Sequence, residues 1–138
     1  MAEKVTGACL CGAVRFEVEL PTSVCVHCHC SMCRKTHGTA FSTFARLTAG
    51  DFHVTTGKEH LRAYRSSPPI ERTFCDTCGA RLTIRFDGMP DTIWVSIGTL
   101  EDDPGVRAGS HMFVGSKAPW DEISDELPQY AEYGPIGE

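Results

Sequence analysis

The 138-residue sequence has no basic excess: 13 lysines and arginines stand against 18 aspartates and glutamates, a formal charge of −5. A general nucleic-acid binder normally carries the opposite balance, so no nucleic-acid partner is expected. No apolar run approaches the roughly 20 residues that a membrane-spanning helix needs. The opening Met1-Ala2-Glu3-Lys4-Val5-Thr6 has no apolar stretch of the signal-peptide kind. The expectation is a soluble protein with reduced thiols in a cytoplasmic setting, without a membrane partner. Strand patterns do not alternate with long helical ones, which argues against a Rossmann-like plan. No repeat, linker or low-complexity stretch divides the chain. Residues 1–138 read as one domain, long enough to bury a core.

What the sequence does have is cysteine. Seven of the eight cysteines fall into three clusters: Cys9-Leu10-Cys11-Gly12, Cys28-His29-Cys30-Ser31-Met32-Cys33 and Cys75-Asp76-Thr77-Cys78-Gly79. Both outer pairs are followed at once by glycine, whereas the central triple is followed by Arg34 and Lys35. A turn carrying two thiolates points backbone N–H groups at sulfur, and the next residue often needs a positive φ, which glycine adopts without strain. Cys9, Cys11, Cys75 and Cys78 therefore read as two halves of one Cys₄ tetrahedron, the closed geometry of a structural zinc. Cys28, Cys30 and Cys33 have no fourth cysteine nearby. Three protein ligands with one open position is the arrangement of a catalytic zinc. Two zincs per chain are expected, one closed and one open.

Other uses of the thiols fit less well. Nothing marks the chain as secreted, so disulfides are disfavoured. Iron–sulfur runs usually space their cysteines by two or more residues, unlike the C-x-C that occurs twice here. A redox C-x-x-C of the thioredoxin kind belongs to a βαβ setting that the sequence does not show.

The pattern between the clusters is that of short strands. In Val14 to Leu20 apolar and charged residues alternate, the period of a half-buried strand, and Pro21 is expected to end it. Val5 to Leu20 thus reads as two strands flanking the first cysteine pair. Val24 to Cys30 should be extended, with Cys28 and Cys30 on one face and Cys25, His27 and His29 on the other. Ser31 to His37 reads as a short helical turn capped by Ser31, its N-terminal end toward the thiolates. Further strands are expected at Thr39–Leu47, Asp51–Thr56, Leu61–Arg65, Ile70–Phe74 and Arg81–Phe86, broken at Gly57-Lys58 and at Ser66-Ser67-Pro68-Pro69. Asp87-Gly88 signals a hairpin turn, Thr92–Leu100 suits a central strand, and Asp102-Asp103-Pro104-Gly105 is a turn. From Asp121 the tail is acidic coil. The fold class is all-β: short antiparallel strands stapled by the Cys₄ metal, which would join residues more than sixty positions apart and couple folding to metal binding.

Three stretches together resemble a known family. Gly7-Ala8-Cys9-Leu10-Cys11-Gly12-Ala13-Val14, Cys28-His29-Cys30-Ser31-Met32-Cys33-Arg34-Lys35 and Arg72-Thr73-Phe74-Cys75-Asp76-Thr77-Cys78-Gly79 are similar to the glutathione-dependent formaldehyde-activating enzymes. That family also includes the zinc domain of centromere protein V. His111-Met112-Phe113-Val114, Lys117-Ala118-Pro119-Trp120 and Leu127-Pro128 resemble its C-terminal stretch. The resemblance implies a β-tent with a structural zinc at Cys9, Cys11, Cys75 and Cys78 and a second zinc at Cys28, Cys30 and Cys33. It implies a carbon–sulfur lyase that condenses formaldehyde with glutathione, so a small thiol and a small aldehyde are the expected partners. The chain starts close to its first motif, so no N-terminal extension is expected to reach the substrate site. A homo-oligomer is left open.

Arg34 and Lys35 are the nearest cations to the open site, where they would meet the carboxylates of an anionic thiol; alternatively they form a solvated turn. His27 and His29 read as packed neighbours rather than ligands, and Cys25 as a small buried hydrophobe. Phe41, Phe44, Trp94 and Trp120 read as core or pocket wall. His111 is either a satisfied structural histidine or a proton shuttle. Two function classes follow: a zinc-dependent enzyme of thiol–aldehyde adducts, or a non-enzymatic zinc module that binds a partner or carries a thiol.

Overall fold

Val14, Phe16, Val18 and Leu20 are buried while Arg15, Glu17 and Glu19 between them reach solvent, so the period-2 pattern makes the strand it suggests. The computed structural model describes residues 3–20 and 24–135; the break expected at Pro21 lies outside the described residues. Strands β1 (Glu3–Ala8) and β2 (Arg15–Leu20) flank the first cysteine turn, and β5 (Phe52–Thr56) completes a three-stranded antiparallel sheet in the order β1-β2-β5.

The second sheet has seven strands. It is built from β3 (Cys25–Cys28), β4 (Ser42–Thr48), β6 (Leu61–Ser67), β7 (Ile70–Cys75), β8 (Arg81–Phe86), β9 (Thr92–Ser96) and β10 (Ser110–Met112), ordered β10-β3-β4-β9-β8-β7-β6. The one α-helix among the described residues, α1, spans Ser31–His37. Strand β9 is central, as its apolar run suggests, but it stops at Ser96 in a 3-10 turn over Ile97–Thr99. Ser66 and Ser67 continue β6 instead of breaking it, and the chain turns at the two prolines. Strand β10 pairs with β3 in parallel, the one departure from an antiparallel plan among the described strands.

Each face of the large sheet has its own apolar cluster. On one, Leu47, Leu82, Ile93 and Val95 pack against Val5, Phe16 and Val18 of the small sheet, with Cys9 and Cys75 in the same cluster. On the other, Phe44, Ile84, Trp94 and Met112 gather with Val26, Cys30 and Cys33. Alternation along β9 divides Ile93 and Val95 from Trp94 between these faces. Along β8 the parity breaks: Thr73 faces Thr83 and Phe74 faces Arg81, leaving Leu82 as the extra residue of a bulge. That bulge lets Leu82 fill the inter-sheet core while Ile84, opposite Trp94, faces the other cluster.

Candidate metal centres and active site

The two outer cysteine pairs meet. Cys9 and Cys11 sit in the β1–β2 turn, Cys75 ends β7, and Cys78 lies in the turn before β8, so the cluster ties the small sheet to the large one. All four Sγ atoms lie within 4.8 Å of one another. A tetrahedral metal with sulfurs at about 2.3 Å sets its ligands about 3.8 Å apart. Cys9 and Cys11 are 3.7 Å apart and Cys11 and Cys75 3.8 Å, so the donor set fits such an ion. Gly12 and Gly79 both take the left-handed conformation, φ 81° and 80°, which is what the glycine after each pair predicts. Backbone N–H groups turn inward: Val14 donates to Cys9 Sγ at 3.2 Å and Thr77 to Cys75 Sγ at 3.4 Å. The N–H groups of Ala80 and Cys11 hold the Cys78 thiol down to about 6, favouring the thiolate.

The central triple forms a second cluster, with the Sγ atoms of Cys28, Cys30 and Cys33 also within 4.8 Å of one another. Cys28 ends β3, Cys30 precedes α1, and Cys33 lies in its first turn. The residue that caps α1 is Cys30, not Ser31: its sulfur accepts the Cys33 N–H at 3.2 Å, and Ser31 is already helical. A thiol can cap as a hydroxyl does, so the cap falls one residue earlier than residue preferences place it. Hydrogen bonds from the Cys28 and Cys33 thiols, then the Cys33 N–H and the Arg72 charge, push Cys30 far below the ordinary thiol range. Hydrogen bonding with Cys30 and Cys33, then burial, pushes Cys28 far above it. Cys30 is the sulfur that carries negative charge most readily.

These thiols open on a cavity of about 90 Å³ walled by Val26, Met32, Phe44, Ile70, Ile84, Phe86, Trp94, Met112, Phe113 and Tyr133. Arg72 is the charged residue in that wall. Only 5% exposed, it points both terminal nitrogens at Cys33 Sγ, at 3.7 and 3.6 Å, while Nε donates to Ser66 Oγ at 2.8 Å. Sequence reasoning missed this role, although Arg72 opens the third cysteine motif; strand alternation sets Arg72 on the same face as the apolar Ile70, which is the one signal available. Arg34 and Lys35, the expected substrate cations, do not line the cavity: Arg34 Nε donates to the Ser116 carbonyl at 3.2 Å and Lys35 is exposed. Arg81 Nε, from β8, donates to the Thr36 carbonyl at 3.0 Å and holds the end of α1.

The opposite face of β3 carries imidazoles, as the alternation requires. His29 is fully buried, and its Nε2 lies 2.8 Å from His111 Nδ1; His111 Nε2 lies 2.9 Å from Asp125 Oδ2. His27 Nδ1 lies 2.7 Å from Thr43 Oγ1, and Phe41 packs against all three rings. Burial, with His111 nearby, pushes His27 and His29 down. Neither joins a thiol cluster, and His111 is a hydrogen-bonded structural residue in the wall behind it. Cys25 is buried, which pushes its thiol up to about 11. Phe44 and Trp94 are cavity wall, but Trp120 is 70% exposed and is neither core nor wall.

In this small all-β fold a Cys₄ cluster bridges two sheets and a three-thiol cluster stands at the end of an apolar cavity, and each set of thiols could hold a metal ion. The family model for glutathione-dependent formaldehyde-activating enzymes matches residues 4–116. A Halomonas elongata protein named for that family is 32% identical over 124 residues, covering 85% of this chain and 79% of its own. A crystal structure of a Rhodobacter sphaeroides protein superposes with a TM-score of 0.62 at 31% identity, over 71% of this chain and 89% of that one. The chain belongs to the glutathione-dependent formaldehyde-activating enzyme family. No helix among the described residues is long and apolar enough to cross a membrane.

Proposed function

We propose that the protein is a zinc-dependent carbon–sulfur lyase of the cytoplasm that forms or handles adducts of glutathione, or another thiol, with formaldehyde or a related aldehyde. The observation that carries this reading is the convergence of three thiols and one buried guanidinium at the end of a cavity, beside a separate and more surface-exposed Cys₄ cluster. Cys9, Cys11, Cys75 and Cys78 would hold the structural zinc and Cys28, Cys30 and Cys33 the second. Bound there, zinc supplies Lewis acidity and lowers the pKa of an incoming thiol.

The chain's own residues do the rest. Three thiolates concentrate negative charge, and the Arg72 guanidinium on Cys33 offsets part of it in a setting where water screens little. The Cys33 N–H on Cys30 fixes one sulfur in place. Phe44, Trp94 and Met112 keep water from the reacting carbon. Arg34 and Lys35 are proposed to attract the carboxylates of glutathione outside the cavity, each exposed pair adding only about 0.2–1 kcal/mol. Most of the affinity then comes from sulfur at the thiol cluster.

Calorimetric titration of zinc-loaded protein with glutathione, in buffers of different ionisation enthalpy, tests this. Binding with proton release is expected, abolished by Cys30→Ser and weakened several-fold by Arg34→Ala/Lys35→Ala. No heat at millimolar glutathione would refute the glutathione assignment. Binding without acceleration of adduct exchange would make the protein a carrier.

A further inference from the structure

The cavity beside the three thiols is far more apolar than glutathione and formaldehyde require. Ile70, Ile84, Phe86, Trp94, Met112 and Phe113 form most of its wall. Arg72 is the charged residue among them, and its guanidinium is already engaged with Cys33 Sγ, Ser66 Oγ and Thr36 Oγ1. An adjoining hollow of about 230 Å³ shares Phe86, Trp94, Met112 and Tyr133, adds Met89, and has no charged group in its wall.

Glutathione carries two carboxylates and an ammonium group, and burying such charges without partners is costly. Its peptide must stay outside these walls, so only its sulfur enters. What remains to fill the hollow is the substituent on the carbonyl carbon. Formaldehyde offers two hydrogens there and would leave the walls uncovered. A dry cavity of about 150 Å³ takes benzene, so 90 Å³ with 230 Å³ adjoining it has room for a chain of roughly four to six carbons.

We propose that the aldehyde handled at this site carries an apolar substituent of several carbons, seated against Ile70, Ile84, Phe86 and Trp94. This rests on the reading of the site as a thiol–aldehyde adduct centre. The thiol sulfur forms a C–S bond to the carbonyl carbon, the π pair of the C=O bond moves onto oxygen, and the thiol proton ends on that oxygen. The product is a 1-hydroxyalkyl thioether, with no change of oxidation state, and cleavage is the same step reversed.

The test uses the zinc-loaded full chain with glutathione and formaldehyde, propanal or pentanal, measuring adduct exchange by NMR as the ratio of catalysed to uncatalysed rate. That ratio should rise about fourfold per added methylene, so about 16-fold from propanal to pentanal, because each buried methylene contributes about that factor. Unreactive 1-pentanol should inhibit competitively and change the emission of Trp94 in a Trp120→Phe background, since Trp94 lines the cavity and Trp120 is 70% exposed. Ile70→Asn, at a half-buried rim position, should erase most of the pentanal advantage while the thermal melt stays near wild type. Phe86→Ser, another half-buried wall position, should do the same if Ile70→Asn fails to fold. A ratio for formaldehyde equal to or above that for pentanal overturns the apolar assignment and leaves the adduct chemistry standing. No acceleration with any aldehyde overturns the lyase reading itself, and the aldehyde assignment with it.

Discussion

Replacing Cys75 should cost far more stability than replacing Cys30, although both remove one thiol from a metal cluster. Cys75 lies 64 positions from Cys11, and their sulfurs are 3.8 Å apart, so the cluster closes a loop of that length between two sheets. In the chain-entropy treatment of cross-links, such a loop removes about 4 kcal/mol of unfolded-state freedom, whereas the short span from Cys28 to Cys33 removes about 2 kcal/mol. Two further terms widen the gap. Cys75 is fully buried in the inter-sheet core, where a serine hydroxyl would have to be desolvated. At Cys30, serine keeps an acceptor for the Cys33 N–H and is itself a favoured helix cap. For a domain of this size the difference of ~2 kcal/mol amounts to a gap on the order of 8 °C in Tm. Circular dichroism melts of Cys75→Ser and Cys30→Ser, with metal content measured on the same samples, check it. Equal melting temperatures would refute the division into a structural and an open site.

Graded chelation should remove about one metal equivalent before the fold is lost, because four thiolates hold an ion better than three; far-ultraviolet dichroism recorded during metal release tests this, and loss of both metals in one step with unfolding would contradict it. Arg72→Leu should weaken the second metal about 10- to 100-fold by leaving the thiolates without their buried cation, as competition with a chromogenic chelator would show, and Arg72→Lys should restore part of the loss. His37 should make the domain acid-sensitive. Burial, with Arg72 and Arg81 nearby, pushes its imidazole down to about 4 from 6.5, so it stays neutral folded while the unfolded chain takes up a proton. Its contribution is present above pH 6.5 and lost as pH falls toward 4. With solvent screening the loss by about pH 5 is ~1–2 kcal/mol, and denaturant midpoints of His37→Gln should fall less between these pH values than those of wild type.

Each cysteine motif was readable because local chain geometry shapes it, and the glycine that follows both outer pairs marked them as halves of one cluster. Gly12 and Gly79 report on backbone turns two or three residues long, and the alternation from His27 to Cys30 sends thiols one way and imidazoles the other. Beyond the meeting of the two outer cysteine pairs, features that depend on distant pairing were not readable. Arg72 reaches Cys33 across 39 positions, and nothing near either residue encodes that contact. Strand β10 has three residues, too few for a period to register, and its parallel partner lies more than eighty positions away. The run from Thr92 to Leu100 favours β throughout, yet tertiary context ends the strand at Ser96. The apolar character of the cavity also escaped, since Trp94 reads equally as core or pocket wall, and Ile70, Ile84 and Met112 join it only when β7, β8, β9 and β10 come together.

Strand β3 presents sulfur to one side and nitrogen to the other, so the chemistry of the cavity is a matter of phase. A single residue inserted ahead of His27 would shift the following side chains by one position, turning His27 and His29 toward the cavity and Cys28 away from it. The donor set would pass from soft thiolate to imidazole, and with it the order of preference among metals. What opposes the slip is the pairing of β3 with β4, fastened by His27 to Thr43 at 2.7 Å, and the seating of His29 on His111 at 2.8 Å. The histidines behind the thiols thus act as an index that holds the strand in register, and a protein engineer who wished to recode the site from sulfur to nitrogen would begin by cutting those two bonds.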